Sequence, residues 1–362
     1  MECALFHEPL VSLLILKGLG ISVDINNLNT IYEKLQDDHS KNLFTNRLMY
    51  ITTNDIKYII NENLLDADYY QTLINNIDSP VVVFTSGYFG TMICNTLLSI
   101  GVKIKAVCNT FSLEHKKETF CGINVISIDT ILKDYDDCYI VLILTGNRLS
   151  LKKEIKYLIN NGISIEKMII PQTRRQYFDF IKHKPHKQEI YIDAGGYYGD
   201  TILSFLRWCD NEYKKIYVSE PDLRNYDLLN NTINDHHIEN VVIHNKGLWS
   251  SSTKLNFSAK DLSVNELGES VMETDTIDNI VGNDPVTLIK FDIEGSELEA
   301  LKGAYNTIKT NKPTLAICIY HKPEDIIDIP LYIIKNHNYY NLYIRKYTWY
   351  PVETVLYCIP YK

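Results

Sequence analysis

The segment Tyr191-Ile192-Asp193-Ala194-Gly195-Gly196-Tyr197-Tyr198-Gly199-Asp200-Thr201 constrains this chain most: a short apolar run enters an acid, then a glycine-punctuated turn, then a helical start. Such a passage reads as the strand, turn and helix of a nucleotide-binding unit. Glycines at 195, 196 and 199 permit a sharp turn that brings backbone amides against a ligand, and the helix opening at Asp200 offers unpaired amide hydrogens. The spacing departs from G-x-G-x-x-G, and an acid precedes the turn, where it would repel pyrophosphate. Asp193 instead suits the ammonium group of an amino acid, which points to S-adenosylmethionine (SAM).

A second acid supports this reading. The run Lys215-Ile216-Tyr217-Val218-Ser219-Glu220-Pro221 is a short strand ending in a carboxylate, 27 positions after Asp193. In a β-α-β unit neighbouring strand ends lie side by side, so Glu220 can take ribose hydroxyls while Asp193 reaches the methionine end. The competing reading makes Glu220 a cap for the helix expected at Pro221-Asp222. Further on, Val286 to Glu297 forms an apolar strand that ends in acids around Gly295. Asp292 follows the strand directly and Glu294 stands two residues beyond, in the crevice where open α/β sheets do their chemistry. Glu297 is assigned to the positive end of the helix that runs to Gly303.

The chain from about 188 to 330 resembles the FkbM-type SAM-dependent methyltransferases. The resemblance rests on ordered elements: DAGGYYGDT from Asp193, SEPD from Ser219, TDTIDNI from Thr274, IKFDIEGSELEALKGA from Ile289 and KPTLAICIYHKPED from Lys312. Ile277 stands where leucine is usual. The resemblance implies methyl transfer to oxygen, commonly a hydroxyl of a sugar, polyketide or glycan-like acceptor. A hydroxyl is a weak nucleophile and needs a base or a metal. Asp292, Glu294 and His321 are the candidates, either as ligands of Mg²⁺ or a similar divalent cation or, in the preferred metal-free version, with His321 as base and Asp292 orienting it. Adenine is expected near Asn245-Lys246-Gly247-Leu248, with Trp249 either covering the ring or packing in the core. The expected cofactor-binding set is therefore Asp193, Gly195, Gly196, Gly199, Glu220, Pro221, Lys246 and Gly247.

The expected fold class is α/β: a Rossmann-like SAM methyltransferase domain with a seven-stranded, mostly parallel sheet over 188–362, preceded by a smaller Rossmann-like α/β domain. That smaller unit, 77–172, starts from Pro80-Val81-Val82-Val83-Phe84. Thr85 stands where a first glycine is expected and Cys108-Asn109 where a ribose-binding acid would end the second strand, which favours a structural or acceptor-binding module over an NAD site. Residues 1–76 read as helical, packing on the Rossmann-like unit or making a contact in a homo-oligomer. Residues 173–187 read as a charged, solvated linker. Tyr339 to Tyr361 suggests a closing pair of strands, and the resemblance implies that such strands at the sheet edge are antiparallel.

Composition excludes some classes. A net charge of −9 argues against a broad nucleic-acid surface. The apolar patches of Leu5 to Ile21 are broken by charges and Pro9, so neither a signal peptide nor a membrane span fits. The eight cysteines show no C-x-x-C pair and read as reduced, packed thiols of a cytoplasmic protein. Two functions remain open: an O-methyltransferase acting on a small-molecule or glycan acceptor, and a SAM-binding scaffold or sensor without turnover.

Overall fold

A computed structural model describes residues 13–16, 21–55, 57–60, 79–84, 94–95, 97–98, 101–108, 119–120, 122–135, 137–142, 155–170, 176–181, 185, 187–258, 263–264, 270–347 and 352–361. The chain divides into two compact units, one formed by residues 1–54, 176–346 and 352–362, the other by 55–175 and 347–351.

The larger unit is built on a seven-stranded sheet. Its strands are β1 (Ile190–Ala194), β2 (Lys215–Ser219), β3 (Val241–His244), β4 (Leu288–Phe291), β5 (Thr314–Cys318), β6 (Tyr340–Lys346) and β7 (Thr354–Pro360). They lie in the order β3-β2-β1-β4-β5-β7-β6. All neighbouring pairs from β3 to β5 are parallel, and β7 alone runs against its two neighbours. The order reverses between β1 and β4, a topological switch point that opens a crevice at the carboxyl ends of the strands. Sequence explains the interior: β1, β4 and β5 are buried along their whole length, as continuous apolar runs covered on both faces require. The expected fold class is thus observed, including the antiparallel closing pair.

The amino-terminal helices belong to this unit. Helix α1 (Ile25–Lys34) is capped by Asp24 and α2 (Asp38–Thr53) by Asp37. Leu35, between them, bridges Leu342 on the edge strand β6. The Asp37 carboxylate takes the Arg345 guanidinium at 2.6 Å, while the Ser40 hydroxyl receives the Ile344 amide at 2.9 Å. Burial works against the charge of Asp37, but Arg345 and Ser40 outweigh it and hold its pKa at about 2. Helices on a sheet edge protect otherwise unpaired backbone groups. The segment read as helical throughout also contains an antiparallel pair, Leu13–Leu16 with Ile21–Asp24. Two glycines fall between these short apolar runs, and that punctuation favours a hairpin over a continued helix. Beyond residue 55 of the stretch read as helical, only the helix Lys57–Ile60 falls within the described residues.

A docked segment also replaces part of the expected linker. Tyr177, Phe178 and Ile181 are buried. Phe178 packs between the rings of Tyr191, Phe205 and Trp208, and Phe180 lies against Tyr343 and Tyr357. Three aromatics in six residues carry enough apolar area to dock despite the charges around them.

The smaller unit holds a six-stranded sheet in the order 119–120, 123–126, 104–108, 81–84, 139–142, 168–169. All pairs but the first are parallel. Cys108 is buried, and burial pushes its thiol up to about 12, so this strand end offers no ribose-binding acid. Thr85 to Gly90 and Asn109 lie outside the described residues. Six of the cysteines are described, all as buried free thiols. Among the described residues no helix is long and apolar enough to cross a membrane.

The Asp37–Arg345 pair gives the first prediction. Replacing Arg345 by Met should undock α2, seen as faster amide hydrogen exchange across Asp38–Thr53 while β1 and β4 stay protected.

Candidate active site

The parallel register gathers the acids. Asp193 on β1 stands opposite Val218 on β2 and opposite Lys290 on β4. The Lys290 ammonium lies 3.0 Å from Asp193 Oδ1 and 4.0 Å from Asp292 Oδ2, and it donates to the Gly195 carbonyl at 2.7 Å. The lysine and Asp193 side chains are 2% and 0% exposed. Burial pulls the Lys290 pKa down, but the Asp193 and Asp292 carboxylates outweigh it and hold the ammonium above its ordinary range. Burial pushes Asp193 up to about 6 while Lys290 pulls it back, and the 3.0 Å contact is that of an ion pair. The ammonium beside Asp193 therefore belongs to the protein, and the acid expected to receive a ligand's amino group is enclosed.

The glycine turn follows directly. Gly195 has φ +92°, and a Cβ there would stand 1.9 Å from the Asp292 carbonyl oxygen, so the turn admits no side chain. Its amides face inwards. Those of Gly195 and Gly196 both donate to the Ser219 carbonyl, at 3.1 and 3.0 Å, and fasten β1 to β2 instead of reaching a ligand. Helix α3 (Asp200–Trp208) starts after Gly199, which provides no side-chain cap, as the sequence implied.

Glu220 ends the neighbouring strand. Its carboxylate accepts the Tyr197 amide at 2.8 Å and the Asp222 amide at 2.9 Å. Burial raises its pKa against the pull of those amides. The helix cap is Asp222, which accepts from the Arg224 and Asn225 amides at the start of α4 (Leu223–Asp235). Asn245 donates to the backbone carbonyls of Glu220 and Pro221 at 2.8 and 3.3 Å. The Lys246 carbonyl accepts the Ser219 hydroxyl, and its ammonium lies 3.6 Å from Asp275. Gly247 begins a short strand that pairs with Thr274. His244 Nε2 is buried here without a hydrogen bond. Trp249 is half-buried, and its carbonyl oxygen lies against Gly303.

The second group of acids surrounds His321. Its Nδ1 lies 2.9 Å from Glu297, and its Nε2 lies 3.4 Å from Asp292 and 3.5 Å from Glu294. Glu294 has φ +54°, a left-handed conformation that swings its half-exposed side chain over the histidine. Glu297 is fully buried, and one of its oxygens also takes the Ile293 amide at 2.8 Å. This corrects the reading of Glu297 as a residue that only complements the start of its helix, α5 (Glu297–Lys302). The pattern His321 plus an acid one turn beyond Ile293 was present in sequence, but only folding shows that β5 delivers the histidine beside it.

Charge decides what His321 can do. Burial lowers its pKa, but the Glu297 hydrogen bond and the charges of Glu297, Asp292 and Glu294 outweigh burial and raise it to about 9. A pKa raised in this way favours the imidazolium, the form of the ring that donates and does not accept a proton. Burial raises the Asp292 pKa, while Lys290, His321 and the Tyr177 hydroxyl lower it further, leaving this acid below its usual range. Glu294 is raised, chiefly by burial. Glu353, half-buried before β7, is raised to about 7 by burial and by Asp292. Lys290, Glu297, Tyr177 and Glu353 are the residues that the sequence did not assign to the site.

Among the described residues one group could hold a cation: ligand atoms of Asp292, Glu297 and His321 lie within 4.8 Å of one another, a set that holds Glu297 where the sequence suggested Glu294. Glu297 Oε2 is buried without a hydrogen bond.

Residues 193–340 match the model of the methyltransferase FkbM domain. The chain carries an FkbM methyltransferase domain. The domain's match begins at Asp193 and takes in both groups of acids. The crystal structure of the methyltransferase FkbM from Methylobacillus flagellatus is similar at 17% identity and a TM-score of 0.50, covering 89% of this chain and 99% of that one. An rRNA methylase from Streptococcus thermophilus matches at 15% identity and a TM-score of 0.35, over 49% of this chain and 90% of its own. Fibrillarin from Aeropyrum pernix, in complex with natively bound S-adenosyl-L-methionine, matches at 10% identity and a TM-score of 0.32, over 50% and 71%. No curated protein matches the chain.

Two predictions follow from the FkbM domain's charges. Lys290→Met leaves Asp193 buried and uncompensated, and denaturant unfolding should show a loss of about 3–5 kcal/mol. His321 carries a folded pKa of about 9 against an ordinary value of 6.5, so its stabilising charge is fully present below pH 6.5 and lost as pH rises through 9. The stability difference between the parent and His321→Gln should therefore be largest at pH 6 and shrink by pH 10.

Proposed function

We propose that this chain is a SAM-dependent methyltransferase that methylates a hydroxyl oxygen of a sugar, glycan or related small metabolite. The observation that carries this reading is the excess of acid at the switch point of an FkbM domain. Lys290 neutralises the inner acids Asp193 and Asp292. His321 stands among Asp292, Glu294 and Glu297. An acidic crevice favours a ligand with net positive charge, and SAM carries an ammonium and a sulfonium against one carboxylate. When bound, SAM supplies a methyl group already activated for transfer.

The fit is partial at one end and good at the other. Asp193 is enclosed with Lys290, whereas the Glu220 carboxylate, buried at the next strand end, accepts two amides and the Asn225 side chain and keeps lone-pair capacity for ribose hydroxyls. Loss of those charge-assisted bonds would cost about 1.5–3 kcal/mol each. Adenine falls to the corner made by Lys246, Gly247 and His244.

The remaining chemistry is proton removal. Asp292 is low in pKa and His321 is charged, so neither accepts a proton readily near pH 7. Glu294 is the half-exposed carboxylate of the group, with a raised pKa and the His321 imidazolium beside it. It takes the acceptor's proton, while Asp292 and His321 orient the hydroxyl. General-base catalysis of this kind contributes roughly 10²–10⁴-fold.

The cluster of Asp292, Glu297 and His321 favours a second reading in which a divalent cation takes the place of the imidazolium proton and lowers the pKa of the acceptor hydroxyl. Imidazole with two carboxylates suits Mn²⁺ or Zn²⁺ better than Mg²⁺.

The decisive measurement is release of S-adenosylhomocysteine with panels of hydroxylated acceptors. The expected result is turnover that Glu294→Gln lowers about 100-fold or more with SAM affinity kept within a few-fold, and Glu220→Gln weakening SAM binding about tenfold or more in calorimetry. Turnover abolished by chelation and restored by Mn²⁺ selects the second reading. SAM binding without turnover on any acceptor would leave a scaffold or sensor.

A further inference from the structure

Asp292 is held from a direction that the FkbM domain's own motifs do not supply. Its Oδ1 accepts the Tyr320 hydroxyl at 3.2 Å, and its Oδ2 accepts the Tyr177 hydroxyl at 2.9 Å. Tyr320 precedes His321, but Tyr177 lies 115 residues before Asp292, outside the family match. The placement is heavily determined. Tyr177 is 6% exposed and has φ +72°, a conformation that a non-glycine residue keeps only where its surroundings impose it. Its amide donates to the Tyr357 hydroxyl at 3.1 Å, and the Lys290 ammonium stands 5.6 Å from the centre of its ring. On one side Phe178 is buried among the rings behind β1; on the other, the Gln176 side-chain amide donates to the Glu353 carboxylate.

Each of these contacts aims one hydroxyl at one carboxylate oxygen. Tyr320 and His321 both bear on Oδ1, and the Lys290 ammonium stands only within 4.0 Å of Oδ2, so the Tyr177 hydroxyl at 2.9 Å is the near contact that fixes the second oxygen.

We propose that Tyr177 is a positioning residue of the methyl-transfer site, whose hydroxyl locks the Asp292 carboxylate in the plane in which it orients the acceptor. The proposal rests on the reading of Asp292 given under Proposed function, and it makes the segment 176–181 part of the site. A charge-assisted hydrogen bond to a half-buried acid favours its ionised form and fixes it, which a merely packed tyrosine would not do.

Tyr177→Phe keeps the ring and its packing and removes only the hydroxyl, so it separates positioning from structure. The variant is compared with the full-length parent, and again within Asp292→Ala, by thermal unfolding, SAM calorimetry and turnover. The expected result is a fall in kcat of about 10- to 100-fold with KM and the SAM Kd within about twofold, and a melting midpoint lowered by about 2–4 °C in the parent background but unchanged in Asp292→Ala. Should Asp292→Ala not fold, Asp292→Asn replaces it, and Tyr177→Phe should cost less than half as much there. An equal midpoint loss in both backgrounds, or an unchanged kcat, would overturn the proposal. A parent without turnover on any acceptor removes the methyl-transfer reading instead, and the unfolding cycle still decides whether Tyr177 holds Asp292.

Discussion

The contact between the Lys290 ammonium and the Asp193 carboxylate is the interaction on which the rest of this molecule depends. Both groups lie inside a sheet whose buried residues are mostly apolar, at positions that parallel pairing forces opposite each other. Neither could be tolerated alone, because an unpaired charge in that surrounding costs several kcal/mol. The pair is also shared: the same ammonium faces Asp292 and holds the Gly195 carbonyl. One buried cation thus fixes the glycine turn, the strand end at 193 and the strand end at 292 relative to one another.

From that anchor the crevice acquires a division of labour. On the β1–β2 side, backbone amides of the turn are spent on Ser219 and Glu220, so the glycines provide shape and the acids provide recognition. On the β4–β5 side, acids outnumber the cations, and a buried Glu297 keeps His321 charged. Asp292 and Glu294, two residues apart, shift in opposite directions: burial raises Glu294 more than His321 lowers it, whereas Lys290, His321 and the Tyr177 hydroxyl outweigh burial at Asp292.

Much of this was legible in the chain. The apolar runs at 190–194, 215–219, 288–291 and 314–318 announce buried parallel strands, and the acids that end them announce the crevice. The chemistry of Asp193 was misread for a physical reason: its partner is a lysine within an apolar strand, and cross-strand register is not written in local sequence. Glu297 looked like an ordinary first-turn acid because helix starts favour acids whatever they touch. Tyr177 was invisible among charges that suggested a linker, since the docking of Phe178 and Phe180 depends on rings contributed from residues up to 357. The antiparallel pair of Leu13–Leu16 with Ile21–Asp24 was lost to a search for helical periodicity.

The closing ion pair joins residues 308 positions apart, Asp37 and Arg345. A chain emerging from the ribosome at about 5–20 residues per second would present α1 and α2 many seconds before the strand that receives them exists. Through that interval their apolar faces have no native surface to cover. Docking of these helices is therefore a late event, completed only after the strand that carries Arg345 has been made.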